Sequence, residues 1–310
     1  MSQAQLHHHR VCTTHLSSSM LRHMVGRVAS SGQALRPSGA RVLLRGLVGP
    51  GAAGHRRRGV VSVGASWGAP VTWNPAVVVA TRREAEGLQL LHVKLPPAVA
   101  SGSTAPGQYV QVRTQETDKP AFIAVASPVG SAPDGVVELL VKSVPGATAE
   151  ALCALPVGAS LQVSDVLGAG FQLQQRLPAE AFPDVYVFAT GSGLAPIRSL
   201  LDTPERLGGL AGSGRTVRLY VGVRSPAHLP FAGRLEAWEA AGVHVRRVYS
   251  QTAGGQHAQY VQEAFTADGG VATPSGSTGA VIVGQKAAFE SLAAAFAAAG
   301  VPKERMLSNF

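Results

Sequence analysis

The chain changes its pattern once, and that change constrains the fold more than any other feature. From Trp67 to about Leu177, apolar residues come in short runs broken by Pro and Gly; from Pro183 onward, apolar runs alternate with helical stretches. Ala76–Thr81, Leu88–Lys94, Tyr109–Thr114, Phe122–Ala126, Val136–Val144 and Leu161–Asp165 read as strands, interrupted by one helix, Ala147–Leu155, that opens after Pro145-Gly146. Short strands at this spacing predict an antiparallel barrel or sandwich. In the second half Asp184–Ala189, Thr216–Gly222, Val243–Tyr249 and Ala280–Val283 read as strands. A helix follows each, the first running through Leu201, then Phe231–Ala241, Gln259–Phe265 and Lys286–Ala299, before a short tail to Phe310. Strand–helix alternation with short connections predicts a doubly wound parallel sheet with helices on both faces. The expected organisation is a leader over residues 1–66, a β-barrel domain over 67–178 and an α/β nucleotide-binding domain over 179–310.

Charge separates the leader from the rest. Nine of the 27 basic residues, all arginines from Arg10 to Arg58, lie in residues 1–66, which hold no acid; residues 67–310 carry 18 basic and 18 acidic side chains. A neutral body argues against a nucleic-acid partner, which requires a basic face. An Arg- and Ser-rich, acid-free leader has the composition of a disordered organelle transit peptide. Arg56–Arg58 followed by Val63-Gly64-Ala65 suggests processing near Ser66, with the chloroplast as the expected compartment and the mitochondrion as the alternative. Cys12 and Cys153 are the only cysteines, which excludes a Cys-ligated iron–sulfur cluster or a Cys-rich zinc site. Apolar stretches are interrupted well short of a membrane span.

The strongest local motif is Thr190-Gly191-Ser192-Gly193-Leu194-Ala195-Pro196, which links the first strand of the parallel half to a helix. Gly191 and Gly193 permit a tight turn and close approach of a ligand. Pro196 suits a helical first turn. The helix start, with free N–H groups and a positive dipole end, offers a seat for a pyrophosphate.

With these motifs the chain resembles the ferredoxin–NADP reductase superfamily, a flavin-binding barrel followed by a nicotinamide-nucleotide domain. The resemblance spans residues 70–310. It is carried by Pro106-Gly107-Gln108-Tyr109-Val110, Lys142-Ser143-Val144-Pro145-Gly146-Ala147-Thr148, Gly168-Ala169-Gly170-Phe171, the 190–196 loop, Tyr220–Arg224, Tyr249-Ser250-Gln251, Tyr260-Val261-Gln262 and Val283–Lys286, in the family's order. Lys119-Pro120-x-Phe122-x-Ala124-x-Ala126-Ser127-Pro128, Gly284-Gln285-Lys286 and the Asn309-Phe310 ending lean toward a small plant and algal branch of that superfamily, known from a fruit-ripening protein. The resemblance implies FAD and NADP, with NAD as the alternative. It assigns Tyr109, Lys119, Ser127, Lys142, Gly146, Ala147 and Thr148 to the flavin side and Thr190, Gly191, Ser192, Gly193, Pro196 and Gly284 to the nicotinamide side. Arg224, Ser250 and Tyr260 fall to the adenosine end, and terminal Phe310 to the flavin face.

Three departures bear on mechanism and on the choice of nucleotide. Aligned on Ala126-Ser127-Pro128, the superfamily's Arg-x-Tyr-Ser flavin grip falls on Ala121, Ile123 and Ala124, leaving Lys119, Phe122 and Ser127 as substitutes. Side chains one residue apart on a strand point to opposite faces. The Cys-Gly that flanks the nicotinamide in relatives is Val283-Gly284, and the Arg expected beside Ser250 is Gln251, with His257, Arg224 or Arg247 as other sources of charge. Cys153 reads as a small buried apolar residue. The expected function is a flavin-dependent NAD(P)H oxidoreductase that passes electrons to a separate electron-transfer protein. No acid–base residue or metal is required in hydride transfer. The alternative is a catalytically degenerate reductase-like protein that binds a nucleotide or a partner.

Overall fold

A computed structural model describes residues 70–132, 134–207, 214–272 and 275–309. The expectations for the leader and for Phe310 fall outside the described residues. Six strands form the first sheet: β1 (Trp73–Ala85), β2 (Leu88–Lys94), β3 (Tyr109–Arg113), β4 (Ala121–Ala124), β5 (Val136–Lys142) and β6 (Ser160–Ser164), in the order β4-β3-β6-β1-β2-β5. All pairings within it are antiparallel. Its two edges meet. Val125 bridges Leu139, the Ala126 N–H donates to the Glu138 carbonyl at 2.8 Å, and the Glu138 N–H donates to Ser127 Oγ at 2.6 Å. Closure removes the free edges, so the fold is a barrel and the sandwich alternative is set aside. Two short helices decorate it, α1 (Pro97–Ala100) and α2 (Thr148–Cys153), and α3 (Leu173–Arg176) leads out of it.

The parallel sheet comprises β7 (Asp184–Thr190), β8 (Thr216–Val223), β9 (Val243–Tyr249), β10 (Thr278–Val283) and β11 (Met306–Leu307), in the order β11-β10-β7-β8-β9. Helices α4 (Leu194–Leu201) and α5 (Ala232–Ala240) cover one face, where Val185, Val187 and Ala189 of β7 point. Helices α6 (Val261–Ala267) and α7 (Lys286–Ala298) cover the other, setting their Phe265 and Phe296 against Tyr186 and Phe188 of β7. The tail after α7 contributes strand β11, in register with Ala280 and Val281; a two-residue strand is too short to show a period.

Two of the motifs interlock. Gln108 is buried; its Oε1 accepts the N–H groups of Thr104 and Ala105 at 2.8 and 2.9 Å, and its Nε2 donates to the Gly168 carbonyl at 3.0 Å. Gly107, at φ +93°, leaves room for the Phe171 ring, which lies 3.0 Å from where a Cβ would stand. Gln108→Leu therefore leaves three backbone groups unpaired, and a loss of about 3 kcal/mol in urea unfolding is expected. A loss below about 1 kcal/mol would show that water satisfies these groups instead.

The barrel and the parallel sheet share one apolar cluster. Leu88, Leu90, Ala126 and Leu140 of the barrel side pack with Phe171, Leu177, α4 and the β7–β8 face. All eight residues of α4 are buried, including Arg198 and Ser199. A helix apolar on one stripe needs a single neighbour. This one has the sheet on one side and the barrel on the other.

Candidate functional site

Strand order reverses between β7 and β10, and the loops leaving these strands line the crevice where doubly wound sheets bind ligands. Thr190 ends β7; Gly191–Gly193 form a helical turn that runs into α4, with Pro196 in the first turn of the helix. Gly191 adopts φ +55°, and a Cβ there would meet open space. Gly193 has an ordinary helical backbone and a different constraint, since a Cβ there would lie 2.9 Å from the Val283 carbonyl at the end of β10. Gly284 is tighter still: at φ +135°, its Cβ would stand 1.9 Å from Thr190 Oγ1. That hydroxyl accepts the Gln285 N–H at 2.9 Å. Thr190, Gly193 and Gly284 thus bind the two loops to each other, while Gly191, Ser192 and the first N–H groups of the turn remain partly exposed toward the crevice.

The barrel side presents a second group. On β4, Ala121 and Ile123 face the barrel core with Val110 and Val112, while Phe122 points outward, 55% exposed. Its ring lies 5.9 Å from that of Tyr109, tilted by 44°, and Tyr109 packs over Gly168. Of the three positions aligned with the flavin grip, Ala121 and Ile123 belong to the core, and the outward aromatic is Phe122. Lys119 and Thr148 come together, Thr148 Oγ1 donating to the Lys119 carbonyl at 2.7 Å. Lys142 is exposed at the end of β5. Gly146, at φ +74°, turns the chain into Ala147 and α2, and its N–H donates to Glu150 Oε2 at 2.8 Å. Ser127 is placed differently: it is buried, and its hydroxyl serves barrel closure. Cys153 is half-buried and its Sγ lies 3.7 Å from the Val141 carbonyl; burial pushes its thiol up.

At the far end of the crevice, Arg224, Ser250, Gln251, His257 and Tyr260 gather beyond β8 and β9. The Ser250 N–H donates to the Val223 carbonyl and the Gln251 N–H to that of Arg224, both at 2.9 Å, and Gln251 bridges His257. The His257 and Tyr260 rings are 4.5 Å apart, and His257 Nε2 is 3.4 Å from Glu263. Gln262 Oε1 is buried without a hydrogen-bond partner among the described residues. Arg247 belongs elsewhere, paired to Glu239 at 2.7 and 3.0 Å; that bond holds the Glu239 carboxyl below its usual range.

The glycine turn lies against β5, so one strand joins the two groups. An element missed in the sequence stands there: Arg198 of α4 reaches Glu138 of β5 at 2.5 Å. The visible signal was an arginine inside the apolar string Leu194-Ala-Pro-Ile-Arg-Ser-Leu-Leu201. Among the described residues no helix is long and apolar enough to cross a membrane, and no cluster of three or more His, Cys, Asp or Glu could hold a metal.

The architecture has known counterparts. No protein-family model matches the chain. It is similar to the cytochrome P450 reductase GcoB of Amycolatopsis (TM-score 0.63, 22% identity, covering 77% of this chain and 70% of that one). It is also similar to a ferredoxin–NADP+ reductase of Neisseria gonorrhoeae with bound FAD and NADP (TM-score 0.62, 19% identity, 77% of this chain and 99% of that one). At those identities the likeness is one of fold. A stronger tie is to the fruit protein pKIWI502 of Actinidia deliciosa, 34% identical over 219 residues, which cover 68% of each chain. That identity over that length, on a closed barrel joined to a doubly wound sheet, shows that the chain belongs to the family of the fruit protein pKIWI502.

Proposed function

We propose that the chain is a flavin-dependent NAD(P)H oxidoreductase whose electrons leave to a separate electron-transfer protein. The observation that carries this reading is one strand, β5, set between an outward aromatic face and a glycine turn at a topological switch point. An exposed Phe122 beside Tyr109 fits a planar ring, and the exposed Lys119 and Lys142 fit its phosphates. The Gly191–Gly193 turn fits a dinucleotide pyrophosphate, and the unpartnered Gln262 Oε1 fits a hydrogen-bond donor at the adenosine end. The flavin, when bound, supplies a two-electron acceptor for the nicotinamide hydride. The chain's own residues bind and orient the two partners and exclude water, and no acid–base side chain is needed for that step. FAD and NADP are the cofactors bound to the gonococcal reductase of the same fold, and NADP is the nucleotide we assign first.

One observation favours a second reading, a nucleotide- or partner-binding protein that has lost its flavin. The Glu150 carboxylate occupies the Gly146 N–H, at the turn where a flavin phosphate would be held. The visible spectrum decides between them. The purified full chain is expected to be yellow, or to become so on incubation with FAD or FMN, and to bleach when NADPH is added without oxygen. A colourless protein that takes up neither flavin would overturn the reductase reading and leave the second.

A further inference from the structure

Helix α4 carries the glycine turn at its start and a buried ion-pair network further along. Arg198, 8% exposed, places Nη2 2.5 Å from Glu138 Oε2 and Nε 3.4 Å from Asp202 Oδ2, with its guanidinium carbon 4.7 Å from the centre of the Phe231 ring. Its Nη1 is buried with no hydrogen-bond partner among the described residues. Asp202 is held in turn by Trp238 Nε1 at 2.8 Å and Arg234 at 3.3 Å. On the barrel side Glu138 also lies 3.6 Å from His92 Nε2. Its backbone closes the barrel, taking the Ala126 N–H and giving its own N–H to Ser127. The Arg198–Glu138 pair therefore ties the helix that bears the glycine turn to the residues that end the strand of Phe122, beside a bond from the Val129 N–H to Thr203 Oγ1 at 3.1 Å.

A buried ion pair with an orphaned nitrogen is a poor source of stability, because desolvating both charges offsets their attraction, and replacing both partners together by uncharged side chains costs little. An ion pair does supply register: it is satisfied at one separation, whereas apolar faces slide past each other. Hydride transfer demands such a fixed separation, since a misplacement of about 1 Å is enough to cost about a hundred-fold in rate.

We infer that Arg198 and Glu138 are a positioning pair, fixing the distance from the nucleotide turn on α4 to the flavin-side strand β4. This rests on the reductase reading of the cleft. The experiment compares the full chain with the double variant Arg198→Met/Glu138→Gln and with Arg198→Lys in two arms. In flavin-loaded protein, the double variant Arg198→Met with Glu138→Gln, which leaves no unpaired carboxylate at the contact, is expected to keep its thermal midpoint and to bind NADPH within about three-fold, while stopped-flow hydride transfer slows about ten-fold or more. Arg198→Lys, which can keep the Glu138 pair, recovers most of that rate. In flavin-free protein, amide hydrogen exchange in the double variant speeds up at residues 190–194 and 126–138 together and stays unchanged in α6 and α7. Transfer at the wild-type rate, or slowing matched by an equal loss of NADPH affinity, would overturn the inference. Unchanged or globally raised exchange would do the same. A wild-type chain that takes up no flavin defeats the reductase reading, and the exchange arm then decides alone whether Arg198 fastens the two elements.

Discussion

Gly284→Ala is expected to remove nucleotide binding and to cost the fold about 4 kcal/mol, the largest single-methyl effect in the chain. The methyl group would stand 1.9 Å from Thr190 Oγ1, 2.9 Å from Thr190 Cβ and 3.0 Å from the Thr190 nitrogen, at a backbone φ of +135° that an alanine rarely adopts. Moving the hydroxyl alone cannot relieve that contact, because the β7 backbone is also within reach. The ends of β7 and β10 must part, and the bond from the Gln285 N–H to Thr190 Oγ1 is lost with them. The turn 191–193 rests on the same junction, since Gly193 itself abuts the Val283 carbonyl. Gly191→Ala is the internal control. Its φ of +55° carries a penalty of about 1 kcal/mol, but its Cβ would face open space. Urea unfolding with NADPH fluorescence titration measures both variants. Equal, mild effects at the two glycines would show that the β7–β10 junction is looser than its geometry indicates.

The same junction explains what the sequence could and could not reveal. Thr190–Pro196 was legible as a tight turn from a strand into a helix, because the glycines and Pro196 mark the junction. The division of labour among those glycines was not legible, because Gly193 answers to Val283, ninety residues along the chain. Periodicity located β2 and β9 to the residue, since both run uninterrupted between turn signals. It could not decide between barrel and sandwich, which turns on the pairing of Val125–Ser127 with Glu138 and Leu139. Arg198 was hidden for a related reason. An arginine in an apolar helix can be buried or snorkel to the surface, and only the barrel packed on the far side of α4 settles which.

The face of β4 leads to the second large effect: Phe122→Ser is expected to weaken flavin affinity about a hundred-fold with little change in stability, and Ile123→Tyr to do the reverse. Aligning the strand on Ala126-Ser127-Pro128 puts the missing tyrosine at Ile123, so Ile123→Tyr looks like a restoration of the grip. The fold argues otherwise. Ile123 is 8% exposed within the barrel core, opposite Val110, and a phenol there overpacks the core and buries a hydroxyl, for a loss of about 3 kcal/mol. Phe122, exposed and beside Tyr109, loses no core contact on becoming serine, but the only large apolar surface on that face of β4 goes with it. Fluorescence titration with FAD and thermal unfolding separate the two outcomes. Tighter flavin binding in Ile123→Tyr with an unchanged midpoint would mean that β4 turns its other face to the cofactor. In that case the aromatic contact would have been lost from this branch of the family. The geometry of β3 and β4 favours the first outcome, since Ile123 lies buried opposite Val110 and the outward aromatic is Phe122.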